Sequence, residues 1–148
     1  MSQNLAPARA PAYNSTPHSK IRAIGVVILA QNHAATIAKC VQRLFAANSY
    51  SGWRNSLWIV VVADRCKDDT AKVAREALGS FGQVLEVSAH SRQAVLQVGA
   101  AAVMEHFGDV PRHTLLLASM EATADLPREW IDTQVESSNS PIGLASNS

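Results

Sequence analysis

Several features that mark common protein classes are scarce or missing in this sequence. It has two cysteines, Cys40 and Cys66, without C-x-x-C spacing or paired histidines nearby, so we expect two buried thiols rather than a zinc knuckle or a redox dithiol. The longest strongly apolar run, residues 23–30, is far shorter than the roughly 20 residues that span a bilayer. No charged and then apolar leader opens the chain. We therefore expect a cytoplasmic protein with no transmembrane segment.

An excess of either charge is also missing. The sequence has 13 Lys and Arg residues against 12 Asp and Glu residues, which gives a formal net charge of +1. This balance does not draw the chain towards nucleic acid or an anionic membrane, so we expect neither as a partner. With 148 residues, of which 47% are hydrophobic and 17% charged, the composition is typical of one globular domain.

The composition divides the chain into three parts. Residues 1–19 carry three prolines among Ala, Ser, Asn and Gln, without apolar periodicity, and predict a disordered arm. Residues 137–148 are rich in Ser and Asn and predict a disordered tail. The folded domain is predicted over residues 20–136.

Within that domain, apolar runs typical of buried strands alternate with amphipathic segments. We predict strands at residues 21–29, 57–63, 83–87 and 114–118, and helices at residues 35–47, 69–78, 93–107 and 127–136. Asp68 or Asp69 is expected to cap the second helix. Because right-handed crossovers connect such alternating segments, we predict an α/β fold, with a mostly parallel sheet and helices on both faces.

Ligands of such sheets bind outside the carboxyl ends of the strands, so the four loops found there are candidate sites. The loop after the first strand has no glycine, which excludes a dinucleotide fingerprint and a P-loop. A G-x-S-x-G nucleophile elbow and an H-E-x-x-H metal helix are also missing. A phospho-receiver would need acidic residues at Asn32-His33 and an aspartate at Ser88-Ala89. These enzyme and receiver classes are therefore excluded.

Among the loop residues, Asp64 has the clearest potential as a ligand contact. It ends a predicted buried strand and precedes a predicted helix. A carboxylate there can accept a hydrogen bond from the ring N–H of a pyrimidine base, a contact worth about 1.5–3 kcal/mol. The alternative is a solvated loop aspartate that binds nothing. His33, His90 and His113 are separated by predicted strands and helices, and we do not expect them to share a metal.

Four stretches of the sequence resemble the nucleotide-sugar domain of family-2 glycosyltransferases, which has the Rossmann-like GT-A fold. The most specific is V-V-V-A-D-R-C-K-D-D-T at residues 60–70, and the first is G-V-V-I-L-A-Q-N-H-A-A-T-I at residues 25–37. The other two lie at residues 92–102 and 117–130. The resemblance implies a domain that binds a nucleotide-sugar, with UDP-sugar as the expected ligand class.

The resemblance also implies which residues form the site. Asp64 takes the place of the aspartate that contacts the base, and Asn32, Arg92 and Glu121 complete the implied nucleotide-binding set. The family's D-x-D, which binds the ribose and a Mn²⁺ or Mg²⁺ ion on the diphosphate, corresponds here to Glu121-Ala122-Thr123. Glu121 and Asp125 are therefore the metal candidates. Because these motifs are degenerate, we expect weak or no sugar transfer by the chain alone.

Two further hypotheses stay open beside nucleotide-sugar binding. One is a non-catalytic protein-interaction module on a degenerate glycosyltransferase fold. The other is a half-domain whose missing half lies on another chain, since the family continues with an acceptor-binding half and this sequence ends soon after Trp130. A fold shortened in this way leaves a sheet edge or an apolar flank uncovered, so a homodimer or a partner protein is expected.

Overall fold

The computed structural model describes residues 21–51, 56–123 and 125–138. Strands and helices alternate as predicted: β1 (Ala23–Ala30), α1 (Ile37–Tyr50), β2 (Ser56–Asp64), α2 (Thr70–Leu78), β3 (Gly82–Val87), α3 (Arg92–His106), β4 (Leu115–Glu121) and α4 (Trp130–Ser138). Short 3-10 turns at Gly79–Phe81 and Arg112–Thr114 precede β3 and β4. None of these helices combines the length and the apolar character that crossing a membrane requires.

The four strands form one parallel sheet in the order β3-β2-β1-β4, which confirms the predicted α/β class. All eight residues of β1 are buried, because β1 lies between β2 and β4 and is covered on both faces. This explains its apolar run without polar alternation. Since all strands are parallel, their carboxyl ends share one edge of the sheet, where Asp64 ends β2 and Glu121 ends β4.

Helices cover both faces of the sheet, but unequally. On one face, α1, α2 and α4 contribute Leu44, Leu78 and Ile131 to the larger cluster of buried side chains. On the other face, α3 is the one helix found among the described residues, and it contributes Val95 and Val103 to the smaller cluster. Val95 also lines the candidate site.

Two glycines bring α3 close to β1. A Cβ atom added to Gly25 would lie 2.2 Å from Cγ1 of Val103, and one added to Gly99 would lie 2.3 Å from Cγ1 of Val27. Each contact between helix and strand therefore pairs one glycine with one valine, and neither position has room for a side chain. This packing sets the distance between α3 and β1.

The observed boundaries depart from the predicted ones at the end of β4 and at both ends of α4. β4 extends to Glu121 instead of residue 118, because its pairing with β1 continues to that residue. α4 begins at Trp130 instead of residue 127, after a turn in which the Trp130 N–H donates to the Pro127 carbonyl oxygen at 3.0 Å. It runs to Ser138, two residues into the predicted tail. The predicted arm and residues 139–148 lie outside the described residues.

The expectation of two buried thiols is correct for one cysteine only. Cys40 lies on the buried side of α1, and burial raises the pKa of its thiol to about 11. Cys66 is half-buried, because it lies in the loop after β2 rather than under a helix.

Candidate functional site

The carboxyl ends of β1, β2 and β4 surround an open cavity of about 500 Å³. The loop after β3 and the first turn of α3 complete its wall. Six ionisable side chains line it: His33, Asp64, Arg65, His90, Arg92 and Glu121. Parallel α/β sheets bind their ligands at this edge. Three of the residues predicted for the site, Asp64, Arg92 and Glu121, meet in this cavity.

Asp64 is a buried carboxylate held by three N–H groups, with 7% of the residue exposed. Its Oδ1 accepts from Arg65 Nε at 3.2 Å and from the Ala89 N–H at 2.8 Å, while Oδ2 accepts from Arg65 Nη2 at 3.0 Å. The hydrogen bond from Arg65 is the main reason that the pKa of Asp64 is lowered, although burial opposes the shift. The carboxyl group is therefore ionised at neutral pH, and Oδ2 keeps room for a second donor.

Arg65 combines an uncommon backbone conformation with an open guanidinium group. Its φ of 51° lies in the left-handed region, which few residues other than glycine adopt. The Arg65 N–H donates to the Val87 carbonyl oxygen at 2.8 Å, which continues the contact between β2 and β3 beyond Asp64. Two of the five guanidinium N–H groups donate to Asp64, and 48% of the side chain is exposed. Arg65 also lines the cavity.

The opposite wall of the cavity carries an exposed ion pair. Arg92 lies in the first turn of α3, where the Ser91 hydroxyl caps the helix by accepting from the Ala94 N–H at 3.1 Å. Nη1 of Arg92 donates to Oε2 of Glu121, which lies at the end of β4. The two side chains are 46% and 47% exposed, so the pair contributes only about 0–1 kcal/mol to stability.

Asn32, the fourth residue predicted for the site, does not line this cavity. Its side-chain Oδ1 accepts from the Lys67 N–H at 2.7 Å, and its own N–H donates weakly to Cys66 Sγ at 3.3 Å. Its φ of 58° is one that asparagine tolerates. Asn32 therefore connects the loops that follow β1 and β2, and the structure gives it a role in holding the cavity rim.

The same two loops are tied together by Asp68 and Thr70. Thr70 Oγ1 accepts from the His33 N–H at 2.8 Å, and Asp68 Oδ2 accepts from the Ala34 N–H at 3.1 Å. Asp68 Oδ1 also accepts from the N–H and the hydroxyl of Thr70. The carboxylate at the start of α2 is thus that of Asp68, since the Asp69 side chain makes no capping bond. The hydrogen bond from the Thr70 hydroxyl is the main cause of the lowered pKa of Asp68.

The two metal candidates lie apart. Glu121 is paired with Arg92 in the cavity, whereas Asp125 Oδ1 lies 2.6 Å from Arg43 Nη1 and lines a separate cavity beside α1. Within the described ranges, no group of three His, Cys, Asp or Glu side chains is arranged to hold a metal ion. Mn²⁺ and Mg²⁺ require several oxygen ligands, and Mg²⁺ favours carboxylates together with water and phosphate. The residues present do not fit the metal ion that the resemblance implies.

Three of the ionisable lining residues were absent from the predicted site: His33, Arg65 and His90. His33 Nδ1 accepts from the Gln31 N–H at 2.9 Å, so its ring is fixed by its own loop. His33 and His90 both line the cavity, whereas His113 lies in the turn before β4, at the other end of that strand. His33, His90 and His113 therefore do not gather at one site. A position just after a strand end was the available signal for all three lining residues.

A comparison with protein-family models found no match to this chain, and a comparison with curated proteins found none either. The resemblance to family-2 glycosyltransferases therefore rests on the motif residues themselves. Of these, Asp64 lines the cavity, whereas Asn32, Asp68 and Thr70 hold the loops around it.

Proposed function

We propose that this chain is a nucleotide-binding domain similar to the nucleotide-sugar part of family-2 glycosyltransferases, and that it binds uridine nucleotides. The observation that carries the proposal is the ionised, buried carboxylate of Asp64 at the cavity, with acceptor capacity left on Oδ2. An acceptor that is fixed before the ligand arrives loses little conformational entropy on binding.

The chemistry of that acceptor limits the bases that suit it. Uracil carries a ring N–H between two carbonyl oxygens, whereas the corresponding ring nitrogen of cytosine is an acceptor and would face the carboxylate unfavourably. In the proposed complex the N–H donates to Asp64, and Arg65, which lines the same cavity, can donate to a carbonyl oxygen with N–H groups that Asp64 does not use. Guanine also has a ring N–H, so the resemblance, not the acceptor alone, selects uridine.

Sugar transfer is not part of the proposal. The departing diphosphate of a nucleotide-sugar needs its charge stabilised, and the residues described at this cavity do not fit the divalent cation that the family uses for this purpose. Nucleotide binding without efficient transfer is the activity that the cavity supports.

The proposal is tested with the wild-type protein by calorimetry, using UMP and UMP methylated on the ring nitrogen. Methylation removes the N–H that donates to Asp64, and we expect the affinity to fall by about tenfold or more. CMP should bind as weakly as the methylated compound. Equal affinities for UMP and methylated UMP, or no binding of either, would refute the proposal.

A matched pair of variants checks the residue. Asp64→Ala is expected to lower UMP affinity by about tenfold to a hundredfold. Asp109→Ala, which removes an exposed aspartate in the turn after α3, should leave it unchanged. A thermal melt of each variant shows whether it is folded under the conditions of the titration.

A second candidate function is a protein-interaction module whose partner is another copy of the chain. Residues 115–120 of β4 carry no charge, and in the described part of the chain the outer edge of β4 pairs with no other strand. Val27, Leu96 and Leu117 line a groove of about 300 Å³ beside this edge. Uncharged edge strands favour pairing between chains, and a two-fold axis would join two β4 edges.

Light scattering over a range of concentrations tests this candidate. The interaction-module hypothesis predicts a dimer that forms equally well with and without UMP. A monomer at all concentrations rejects the interaction module, and a dimer that does not bind UMP favours it over nucleotide binding.

A further inference from the structure

The two ion pairs of the cavity differ in how easily they can separate. Asp64 and Arg65 are neighbours joined by two hydrogen bonds, and the Ala89 N–H holds the carboxylate as well. Arg92 and Glu121 come from different elements, and both side chains are about half exposed. Water can replace either partner of this second pair, so an anionic ligand can displace Glu121 from Arg92 at small cost.

Arg92 is suited to receive such a ligand. A guanidinium group offers five N–H donors in a planar fork that matches two phosphate oxygens, and the bond to Glu121 uses the Nη1 end. Arg92 also lies in the first turn of a 15-residue helix, where the backbone dipoles favour negative charge. Arg65 and His90 line the same cavity and add further donors.

The charge of a diphosphate must be balanced by something in the cavity. Within the described residues, no three His, Cys, Asp or Glu side chains are grouped to hold a metal ion, and Asp125 pairs with Arg43 outside this cavity. The cations that remain at the cavity are side chains of the protein itself.

We infer that the diphosphate of the ligand binds through Arg92, which exchanges Glu121 for phosphate oxygens, and that this binding requires no divalent cation. The inference rests on the proposed function, because the diphosphate is that of the uridine nucleotide. Glu121 then acts as an internal competitor of the ligand. Removing its charge frees Arg92 and strengthens phosphate binding, whereas removing the charge of Arg92 abolishes the contact.

Inorganic pyrophosphate and UDP serve as probes, titrated into the folded wild-type chain in EDTA and again in excess Mg²⁺. We expect pyrophosphate to bind in EDTA. Arg92→Gln should weaken its binding by about tenfold or more, and Glu121→Gln should tighten it by about two- to fivefold.

The pair formed by Arg75 and Glu86 provides the control. Its charges are 2.7 Å apart, both side chains are exposed, and neither residue lines the cavity. Glu86→Gln therefore makes the same chemical change as Glu121→Gln without freeing a cation at the site. It should leave pyrophosphate affinity unchanged, and tightening by both variants alike would overturn the inference as a general charge effect.

The outcomes also separate this inference from the proposed function. If UDP binds with the expected preference for an unmethylated base but only in Mg²⁺, the exchange at Arg92 is refuted and uridine binding stands. If pyrophosphate binds in EDTA and depends on Arg92 while methylation of the base has no effect, the exchange of Glu121 for phosphate at Arg92 stands and the uridine proposal fails. If neither UDP nor pyrophosphate binds, both are refuted.

Discussion

Asp64 and Glu121 are two acidic residues at the carboxyl ends of parallel strands, and each pairs with an arginine at the same cavity. Their surroundings are nevertheless different. Asp64 ends β2, which lies between β1 and β3. It is buried, and it accepts hydrogen bonds from Arg65 in its own loop and from Ala89 in the loop after β3. Glu121 ends β4 at the edge of the sheet, and its side chain is half exposed.

The difference shows that the contribution of an ion pair depends on how deeply its charges are buried. A buried carboxylate that loses its partners leaves unsatisfied donors behind, so Asp64 belongs to the framework of the site. An exposed carboxylate is replaced by water at little cost, so Glu121 can give way to a ligand. The comparison predicts that the two acids respond differently to mutation.

The largest effect is expected from moving α3, which carries the partner of Glu121 but not that of Asp64. Gly99→Val places a branched side chain where even a Cβ atom would lie 2.3 Å from Val27 Cγ1, and should cost about 3 kcal/mol in the free energy of unfolding. Urea denaturation measures this. Ala101→Val, at an exposed position of the same helix, should cost about 0.5 kcal/mol at most.

A second substitution sharpens this test. If the clash with Val27 is the cause, Val27→Ala in the Gly99→Val background should recover part of the lost stability. No recovery, or equal losses for Gly99→Val and Ala101→Val, would mean that the close contact between α3 and β1 is not what holds the helix.

A smaller effect is expected from truncating the acids themselves. Asp64→Ala leaves the Ala89 N–H without its acceptor and should cost about 1–2 kcal/mol, because the exposed Arg65 can turn to water while the backbone donor cannot. Glu121→Ala should change stability by less than about 0.5 kcal/mol. Urea denaturation of both variants decides, and equal losses would contradict the distinction drawn between the two residues.

The smallest effect concerns pH. The pKa of Asp64 is lower in the folded protein than in the unfolded chain, so below about pH 5 the unfolded state binds more protons. Its contribution to stability is therefore complete above the unfolded pKa of about 3.9, and disappears as the pH falls through the folded value. Unfolding free energies measured from neutral to acid pH should fall less steeply for Asp64→Asn than for the wild type.

Asp68 also has a lowered pKa, so Asp64→Asn removes only part of the acid sensitivity. Asp109→Asn is the control and should follow the wild-type curve. A curve for Asp64→Asn that parallels the wild type throughout would show that Asp64 is not stabilised in its ionised form.

The architecture followed from patterns along the chain. Buried parallel strands are apolar without alternation, and amphipathic helices repeat every three to four residues, so local pattern was enough to order the elements. Once the strands are parallel, their carboxyl ends must share an edge. That edge made the loop of Asp64 a candidate site, and the resemblance to family-2 glycosyltransferases implied Arg92 and Glu121 as further site residues. All three line one cavity.

The remaining features of the site depend on contacts between residues far apart in sequence. Asn32 and Lys67 are 35 residues apart, and their hydrogen bond ties Asn32 to the loop after β2, outside the lining of the cavity. Asp125 was a metal candidate by its spacing from Glu121, but Arg43 of α1 engages it elsewhere. Spacing along a loop does not specify the direction of a side chain when a charged group from another element competes for it.

The sequence by itself determined the parallel sheet, the helices on its two faces and the edge at which polar residues collect, because burial and helical periodicity are recorded residue by residue. Only the tertiary structure decided which acid is buried, which arginine each acid meets, and that Gly25 and Gly99 set the position of α3. These depend on strand order and on the distance between packed elements. Both arise from the whole chain minimising exposed apolar surface and unsatisfied polar groups together.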